Sequence, residues 1–316
     1  MSPDPGHLPV LLDTTLRLLD PPAGGTVADL TAGRGGHAEA LARSVGAGGR
    51  LFLSDLDAGN LAFAAERATM AGGAAVHAFH GSFARADHEL ARLGWSADAV
   101  LADLGFASTQ MDDPARGFSF QAAGPLDMRL DPSRGETAAD LLARLPERDL
   151  ADAIFRYGED PFARRIARVV VERRAREPMR STQDLAAAVV AAYGAKARQS
   201  RMHPATRTFM ALRILVNDEL GALESLLSAM EAGGRRAAAG QPSWLRPGCR
   251  VGVIAFHSLE DRMVKHAMAG WEEAGLGERV TRKPAEPTDA EVAGNRRARS
   301  AKFRVFRFGT ETRAGG

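Results

Sequence analysis

The first hundred residues alternate between short apolar runs and segments with helical periodicity, and this alternation restricts the fold more than any other feature of the chain. The apolar runs that predict strands lie at 26–30, 50–54, 75–79 and 98–102. The segments that predict helices lie between them, at 38–45, 58–70 and 85–93. Strands joined by helices need right-handed crossovers, which produce a parallel sheet with helices on both faces. The sequence therefore predicts an α/β fold built on a Rossmann-like, doubly wound sheet.

The alternation is interrupted once. From about residue 108 to residue 203 no core strand is predicted, and the helical segments there are 137–145, 147–157, 160–176 and 182–193. Alternation then resumes with a helix, a buried strand, a helix and a last strand at 205–230, 249–256, 259–274 and 302–308. We therefore predict a core in two parts, 1–107 and 205–316, around an inserted and mainly helical domain at 108–204. The first 25 residues predict an irregular arm with one amphipathic helix at 10–19.

A glycine-rich turn follows the first predicted strand. The run VADLTAGRGGH (27–37) is an apolar strand, then a turn with Gly33, Gly35 and Gly36, then a helix that begins near His37. Glycines let the backbone approach a ligand closely, and a helix start adds unpaired N–H groups. This pattern is typical of a nucleotide or cofactor site, but any tight strand-to-helix turn can also use it.

Composition excludes several classes of protein. No run approaches the roughly 20 apolar residues of a membrane span, and the first ten residues lack the features of a signal peptide, which favours the cytoplasm. The single cysteine, Cys249, excludes an internal disulfide framework and a multi-cysteine zinc site. The histidines at 37, 80, 203 and 257 are too dispersed to predict a metal cluster, so no metal is expected.

Two acids near the glycine turn indicate which cofactor it would bind. Asp29 ends the first strand, and Asp55 ends the second, where nucleotide-binding folds place an acid for the ribose. A dinucleotide would bring a pyrophosphate to the helix start, and a carboxylate beside it would repel that group. S-adenosylmethionine has no phosphate and carries a sulfonium and an ammonium group, which carboxylates attract. The acids therefore favour S-adenosylmethionine, with a dinucleotide or a purely structural turn as alternatives.

Asp103 ends the fourth predicted strand, in the run ADLGF (102–106). Amino-group methyltransferases carry an acid or amide here, because oxygen acceptors orient the N–H bonds of the amine and relieve its growing positive charge. Phe106 is a candidate for stacking on the base, and Asp103 could instead only cap the strand end or contact the cofactor.

Carbon-5 methylation would need a thiolate, but Cys249 begins its strand ~20 Å from the catalytic edge at ~3.3 Å per residue. Cys249 is therefore expected in the core.

Nine runs, in chain order, resemble the bacterial 16S ribosomal RNA cytosine-N4 methyltransferases of the RsmH or MraW type. They are LPVLLDT (8–14), GRGGH (33–37), HGSF (80–83), RGFSF (116–120), GPLDMRLDP (124–132), YGEDPFARRIAR (157–168), HPATRTFMALRILVNDEL (203–220), FHSLEDRMVK (256–265) and RARSAKFRV (297–305). The resemblance covers nearly the whole chain. It implies a class I S-adenosylmethionine-dependent methyltransferase core, and methyl transfer to N4 of a cytosine in the decoding region of 16S rRNA.

The resemblance also implies site residues. Matched position by position, the family's cofactor contacts fall on Gly35, Gly36, His37, Asp55, Phe83, Asp103 and Gln110. Asp103 is in addition the expected catalytic residue. The chain departs from the family pattern at Leu30, Ala32, Phe106, Ala107, Thr109 and Arg296. These departures spare the matched polar contacts and affect the expected adenine pocket and the entry of the base.

Basic residues suggest how RNA would be held. Net charge is only +2 and the pI is about 9.0, so the distribution of charge matters more than its total. The arginines concerned are Arg164, Arg165, Arg168, Arg173, Arg174, Arg176 and Arg180 in the insertion, with Arg198, Arg201 and Arg207 after them. A solvated, salt-bridged helix face and a phosphate-binding surface both explain such a run. The loop 296–302 is a second basic candidate.

The expected partner is 16S rRNA within the small ribosomal subunit, with recognition through phosphate geometry and one flipped base, because aromatics make up only 6% of the chain. No membrane partner is expected, and a homodimer is one arrangement compatible with the sequence. Two rival functions remain: a non-catalytic ribosome-binding factor and a nicotinamide-dependent oxidoreductase.

Overall fold

A computed structural model of the protein describes residues 9–200 and 202–309, apart from the side chain of Ser108. The described residues form two compact units. We call the first the sheet unit; it contains the residues up to Gly105 and those from Gly221 onward. The second, the helical unit, is Phe106–Leu220. No helix in the described part of the chain is long and apolar enough to cross a membrane.

The sheet unit is built on seven strands. They are β1 Thr26–Asp29, β2 Arg50–Asp55, β3 Ala75–His80, β4 Ala97–Asp103, β5 Leu245–Ala255, β6 Gly277–Arg279 and β7 Lys302–Phe308. Their order is β3-β2-β1-β4-β5-β7-β6, and only β7 runs antiparallel to its neighbours β5 and β6. The order reverses between β1 and β4, which is where open α/β sheets bind ligands. This is the topology of class I S-adenosylmethionine-dependent methyltransferases and confirms the predicted fold class.

Helices cover both faces of this sheet. They are α1 Leu12–Leu19, α2 Gly36–Val45, α3 Ala58–Gly72, α4 Ala86–Arg92, α11 Glu219–Ala238 and α12 Ser258–Glu273. A further short helix, α13 Asp289–Gly294, has no buried residue. Alternate residues of each strand supply two apolar layers: Val100 of β4 belongs to one layer with Trp271, and Leu101 to the other with Phe303. Because side chains alternate across a strand, burial on both faces requires the nearly continuous apolar runs seen in the sequence.

The helical unit has its own core. Its helices are α5 Ser108–Asp112, α6 Ala138–Arg144, α7 Glu147–Gly158, α8 Ala163–Arg174, α9 Thr182–Tyr193 and α10 Ala205–Asn217. Leu150, Ile166, Leu185 and Leu212 are fully buried in one cluster. The predicted insertion ended at residue 204, whereas α10 packs with the insertion: a Cβ at Gly158 of α7 would lie 2.6 Å from the carbonyl oxygen of Arg207. The unit therefore runs on to Leu220.

One predicted element is wrong, and three short elements, α5, β6 and α13, had not been predicted. The expected single helix at 205–230 is two helices, because Asp218 adopts a left-handed conformation with φ of 49° between α10 and α11. Aspartate is one of the few residues other than glycine that tolerate this conformation. Strand β6 is only three residues long, and α13, whose start is capped by Thr288, lies between the helix and the last strand that the sequence predicted at 259–274 and 302–308.

Candidate active site at the carboxyl edge of the sheet

Acidic residues gather where the parallel strands end. Asp29, Asp55 and Asp103 are the last residues of β1, β2 and β4. In the sheet register Asp29 lies opposite Leu53 and Leu101, so all three acids lie at the same edge. The structure thus brings together the acids that the sequence had placed at separate strand ends.

Asp55 holds the glycine turn in place. Its Oδ2 accepts the N–H of Gly33 at 2.7 Å, and its Oδ1 accepts the N–H of Asp57 at 2.8 Å. Burial raises the pKa of Asp55 above its usual value, although these two backbone bonds act against the rise. An ionised carboxylate has about four lone-pair positions, so Asp55 keeps capacity to accept further hydrogen bonds.

The glycines of the turn serve different purposes. Gly33 has φ of 47°, and a Cβ on it would make only an ordinary contact, 3.9 Å from the carbonyl oxygen of Thr31. Glycine is therefore favoured at this position by the backbone conformation and not by lack of space. Gly35 has φ of 76°, and a Cβ on it would lie 2.8 Å from Cα of Ala64 in α3. Gly36 begins α2, and a Cβ on it would lie 3.0 Å from the ring of Pro9. Close packing of the helices, as well as any ligand, thus requires small residues in this turn.

Thr31 joins the ends of β1 and β4, a role not anticipated from the sequence. Its backbone N–H donates to Oδ1 of Asp29 at 3.2 Å, and its hydroxyl oxygen accepts the N–H of Asp103 at 2.6 Å. Threonine side chains at loop starts commonly bond to nearby backbone, and that is the only signal the sequence offered. The bond fixes the backbone that carries Asp103 relative to the glycine turn.

Asp29 and Asp103 each keep one buried carboxylate oxygen without a hydrogen-bond partner in the described part of the chain. These atoms are Oδ2 of Asp29 and Oδ1 of Asp103. Burial, with the charge of Asp55 adding to it, raises the pKa of Asp29 to about 7. Burial, with the charges of Asp29 and Glu260, raises the pKa of Asp103 well above its usual value. Buried polar atoms are almost always paired, so these two oxygens indicate a ligand position.

Glu260 is a fourth acid of this edge and was missed in the sequence. It lies in the first turn of α12, is 3% exposed, and accepts the N–H groups of Phe256 and His257 at 2.9 and 3.2 Å. The imidazole of His257 lies 3.1 Å from its other oxygen and caps the same helix. The three-residue spacing of cap and acid in HSLE is the capping-box pattern that could have indicated it. His257 is thus a cap residue.

His37 faces Asp103 from the start of α2. The side chain is 7% exposed, and its Nε2 lies 3.7 Å from Oδ2 of Asp103, too far for a hydrogen bond but close enough for an ion pair with a protonated ring. Phe83 begins a 3-10 turn after β3 and packs partly buried against one apolar layer of the sheet. Both predicted residues therefore belong to the sheet unit.

Gln110 belongs to the helical unit. Its side-chain oxygen accepts the N–H of Ala107 at 2.8 Å and so caps the start of α5. Phe106, the candidate base-stacking residue, stacks on Phe118 with ring centroids 5.2 Å apart and lies 4.8 Å from the guanidinium carbon of Arg213. Because the ring of Phe106 is already in contact with Phe118 and Arg213, the structure does not favour its stacking on the base.

The arginines of the predicted run fall into three groups. Arg174 and Arg207 donate to the backbone carbonyls of Leu142 and Glu159, which makes them structural, and Arg168 lies 3.7 Å from a carboxylate oxygen of Glu147. The exposed arginines that have no ion pair with a carboxylate of the described residues are Arg164, Arg165, Arg173, Arg176, Arg180 and Arg198. Arg201 lies outside the described residues. Exposed cations without acidic partners favour the phosphate-binding interpretation over a salt-bridged face.

The cluster of acids fits a cationic ligand. Two buried, unpartnered oxygens lie beside a glycine turn, and an uncompensated carboxylate is costly unless a positive charge approaches it.

Cys249 is 1% exposed near the start of β5, and burial raises the pKa of its thiol. A buried thiol with a raised pKa is a poor nucleophile, so the prediction that Cys249 is a core residue is confirmed.

Comparison with known proteins agrees with this geometry. Residues 4–309 match the model of the MraW methylase family. A protein of Nitratidesulfovibrio vulgaris named ribosomal RNA small subunit methyltransferase H is 46% identical, over 95% of this chain and 84% of its own. Proteins of that name from Sorangium cellulosum and Syntrophobacter fumaroxidans are 45% and 43% identical, over 95% and 96% of this chain and 90% and 98% of theirs. The chain belongs to the MraW methylase family, and its methyl donor is S-adenosylmethionine.

Proposed function

We propose that this member of the MraW methylase family methylates N4 of a cytosine in the decoding region of 16S rRNA, on the small ribosomal subunit in the cytoplasm. One observation carries the proposal: Asp29 and Asp103 each present an unpartnered buried oxygen beside the glycine turn. The names of the relatives support small-subunit rRNA as the substrate. The run that follows Asp103 supports an amine as the methyl acceptor.

The residues of the turn would hold the cofactor. S-adenosylmethionine supplies an electrophilic methyl group on a positively charged sulfonium. Gly35, Gly36 and His37 line the start of α2, and Phe83 lies after β3, so these residues would contact it from neighbouring loops. Asp55, which still has free acceptor positions, would accept hydroxyl groups of the ribose. Gln110 remains a proposed contact from the helical unit.

Asp103 would orient the amine and remove its proton. The lone pair of an exocyclic amine is delocalised into the ring, so the nitrogen becomes a nucleophile only as an N–H bond is drawn to an acceptor. When the nitrogen gains the methyl group it must lose one proton, and the carboxylate of Asp103 would accept it. Burial and the charges of Asp29 and Glu260 raise the pKa of Asp103, which makes it a stronger base than an exposed carboxylate.

The rival functions are less well supported. A nicotinamide dinucleotide would bring two phosphates to an edge that carries four acids, and their charges would repel it. A ribosome-binding factor without activity would have no need for buried carboxylates beside a cofactor turn. The helical unit, with its exposed arginines, would bind RNA phosphates in either case.

Nucleoside mass spectrometry tests the proposal. The protein is incubated with S-adenosylmethionine and either small ribosomal subunits lacking the modification or free 16S rRNA, and the RNA is then digested to nucleosides. We expect N4-methylcytidine to appear in at least one of the two reactions. Methylation of another base would refute the N4 assignment, and the absence of any methylated nucleoside would refute the enzymatic function.

A further inference from the structure

A basic 3-10 turn lies at the same edge of the sheet as the acidic cluster, which consists of Asp29, Asp55, Asp103 and Glu260. The turn is Arg296–Ser300, and β7 begins two residues later at Lys302. Because β7 runs antiparallel to β5, Lys302 pairs with Ala255, the last residue of β5. Asp103 of β4 pairs with Ile254 on the other side of β5. Strands are ~4.8 Å apart, so the turn precedes a strand that lies only ~10 Å from the strand carrying Asp103.

The turn is anchored and its arginines point outward. Ala298 and Ala301 are each 1% exposed and belong to one apolar layer of the sheet. Arg296, Arg297 and Arg299 alternate with them and are exposed. The side chain of Asn295 accepts the N–H of Arg297 at 3.1 Å and fixes the start of the turn. Anchored backbone with exposed guanidinium groups is pre-organised for binding an anion.

Neighbouring acids of the described residues do not neutralise Arg296 and Arg299. Arg304 and Lys302 bind Asp261 at 2.7 and 3.4 Å, and although burial opposes ionisation these cations hold the pKa of Asp261 below its usual value. Glu291 accepts the N–H and hydroxyl of the cap residue Thr288. Arg296 and Arg299 have no ion pair with any residue that the structure describes. A merely solvated charge run would more often be interleaved with acidic partners.

The acidic cluster makes a nearby cationic element necessary for an RNA substrate. A nucleotide that reaches Asp103 brings its flanking phosphates toward Asp29, Asp55 and Glu260, which repel them. Cations on the same edge would compensate this repulsion and fix the strand. The turn supplies exposed cations immediately before β7, the strand that pairs with β5.

We propose that the Arg296–Ser300 turn binds the phosphates of the RNA strand next to the target nucleotide. Arg296 and Arg299 would each contact a phosphate, and Arg297 would add to the local positive potential. This inference rests on the proposed function and names a phosphate-binding surface within the sheet unit, separate from the arginines of the helical unit. A guanidinium can bind a phosphate with two parallel hydrogen bonds, which suits arginine better than lysine.

The test compares the double variant Arg296→Ala/Arg299→Ala with the control Arg246→Ala. Arg246 is 55% exposed near the start of β5, at the opposite edge of the sheet. Binding to small ribosomal subunits that lack the modification is measured over a series of salt concentrations, and binding of S-adenosylmethionine is measured by calorimetry. We expect the double variant to bind subunits roughly 10-fold or more weakly, with the salt slope reduced by about 1.4 to 1.8.

In the same variant the affinity for S-adenosylmethionine should stay within about twofold, and Arg246→Ala should change neither measurement. Replacing both arginines by lysine should keep most of the salt slope. An unchanged subunit affinity and salt slope in the double variant would overturn the inference while leaving the proposed function intact. If the wild-type protein itself fails to bind subunits and free 16S rRNA, the proposed function fails and the inference with it.

Discussion

Two acids of the same sheet edge have different surroundings. Both oxygens of Asp55 accept backbone N–H groups, one from the glycine turn and one from Asp57. Asp103 lies two strands away, and its Oδ1 is buried with no hydrogen-bond partner in the described part of the chain. The sequence places both at strand ends and gives no sign of this difference in their hydrogen bonding. In the structure Asp55 supports the turn, whereas Oδ1 of Asp103 has its hydrogen-bonding capacity unused.

Because of this difference, substituting the two acids should change the stability of the protein in opposite directions. An acid that accepts backbone bonds contributes to stability, and removing it leaves N–H groups without an acceptor. An acid that is buried without partners costs stability, and removing its charge should relieve that cost. Substitutions that exchange the carboxylate for an amide of the same shape therefore separate the two roles.

The largest effect is expected for Asp103→Asn. The amide cannot accept the proton that the cytosine amine must lose, so the methyl-transfer rate should fall about 10³-fold or more. Thermal stability should stay the same or rise, because the carboxylate keeps a buried oxygen, Oδ1, without a hydrogen-bond partner in the described part of the chain. Single-turnover methyl transfer to small subunits and thermal unfolding measure the two quantities. A variant with near-normal turnover would remove Asp103 from the chemistry.

Asp55→Asn should instead weaken cofactor binding. One of the N–H groups of Gly33 and Asp57 would face an amide NH₂, so the turn would lose part of its support. We expect roughly 10- to 100-fold weaker binding of S-adenosylmethionine and a loss of about 1–3 kcal/mol in the free energy of unfolding. Calorimetry and urea titration measure both. Unchanged stability would show that these two bonds do not hold the turn.

Asp29 should make the stability of the cofactor-free protein depend on pH. Its pKa is about 7 in the folded protein against 3.8 normally, so the folded state binds this proton more tightly than the unfolded state. The resulting stabilisation is fully present below pH 3.8 and is lost as the pH rises toward 7. Asp29→Asn should flatten the pH dependence of the unfolding free energy within that window. A wild-type profile that the variant reproduces would contradict the raised pKa.

The smallest effect is expected for Gly33→Ala. An alanine in the left-handed conformation costs about 1 kcal/mol, and the structure has space for its methyl group. Gly35→Ala should cost clearly more, because it adds a clash with Ala64 to the same conformational penalty. Unfolding free energies of the two variants, measured side by side, check the order. Equal losses would mean that α2 and α3 can move apart.

The sequence was a good guide wherever a local pattern determined the structure. The strands β1 to β4 and the helix α9 follow their apolar periodicity, and the acids that the sequence places at strand ends lie at one edge of the sheet. Long-range contacts had no such pattern: the bond from Thr31 to Asp103 joins residues 72 apart in the chain. The sequence did not place Glu260 near the other three acids, which it approaches only in the folded structure. The break at Asp218 depends on one residue's backbone conformation, which no periodicity records.

The most direct test of the account measures protons released when S-adenosylmethionine binds. Calorimetry is done at pH 6.5 in buffers of different ionisation enthalpy, where the cofactor's ammonium, with a pKa near 8, stays charged. If the cation takes the position facing Asp29 and Asp103, their raised pKa values must fall and protons must leave. We predict a buffer-dependent release of up to about two protons, one from each acid, reduced in Asp29→Asn and unchanged in Gly33→Ala. Binding without proton release in the wild-type protein would contradict the account.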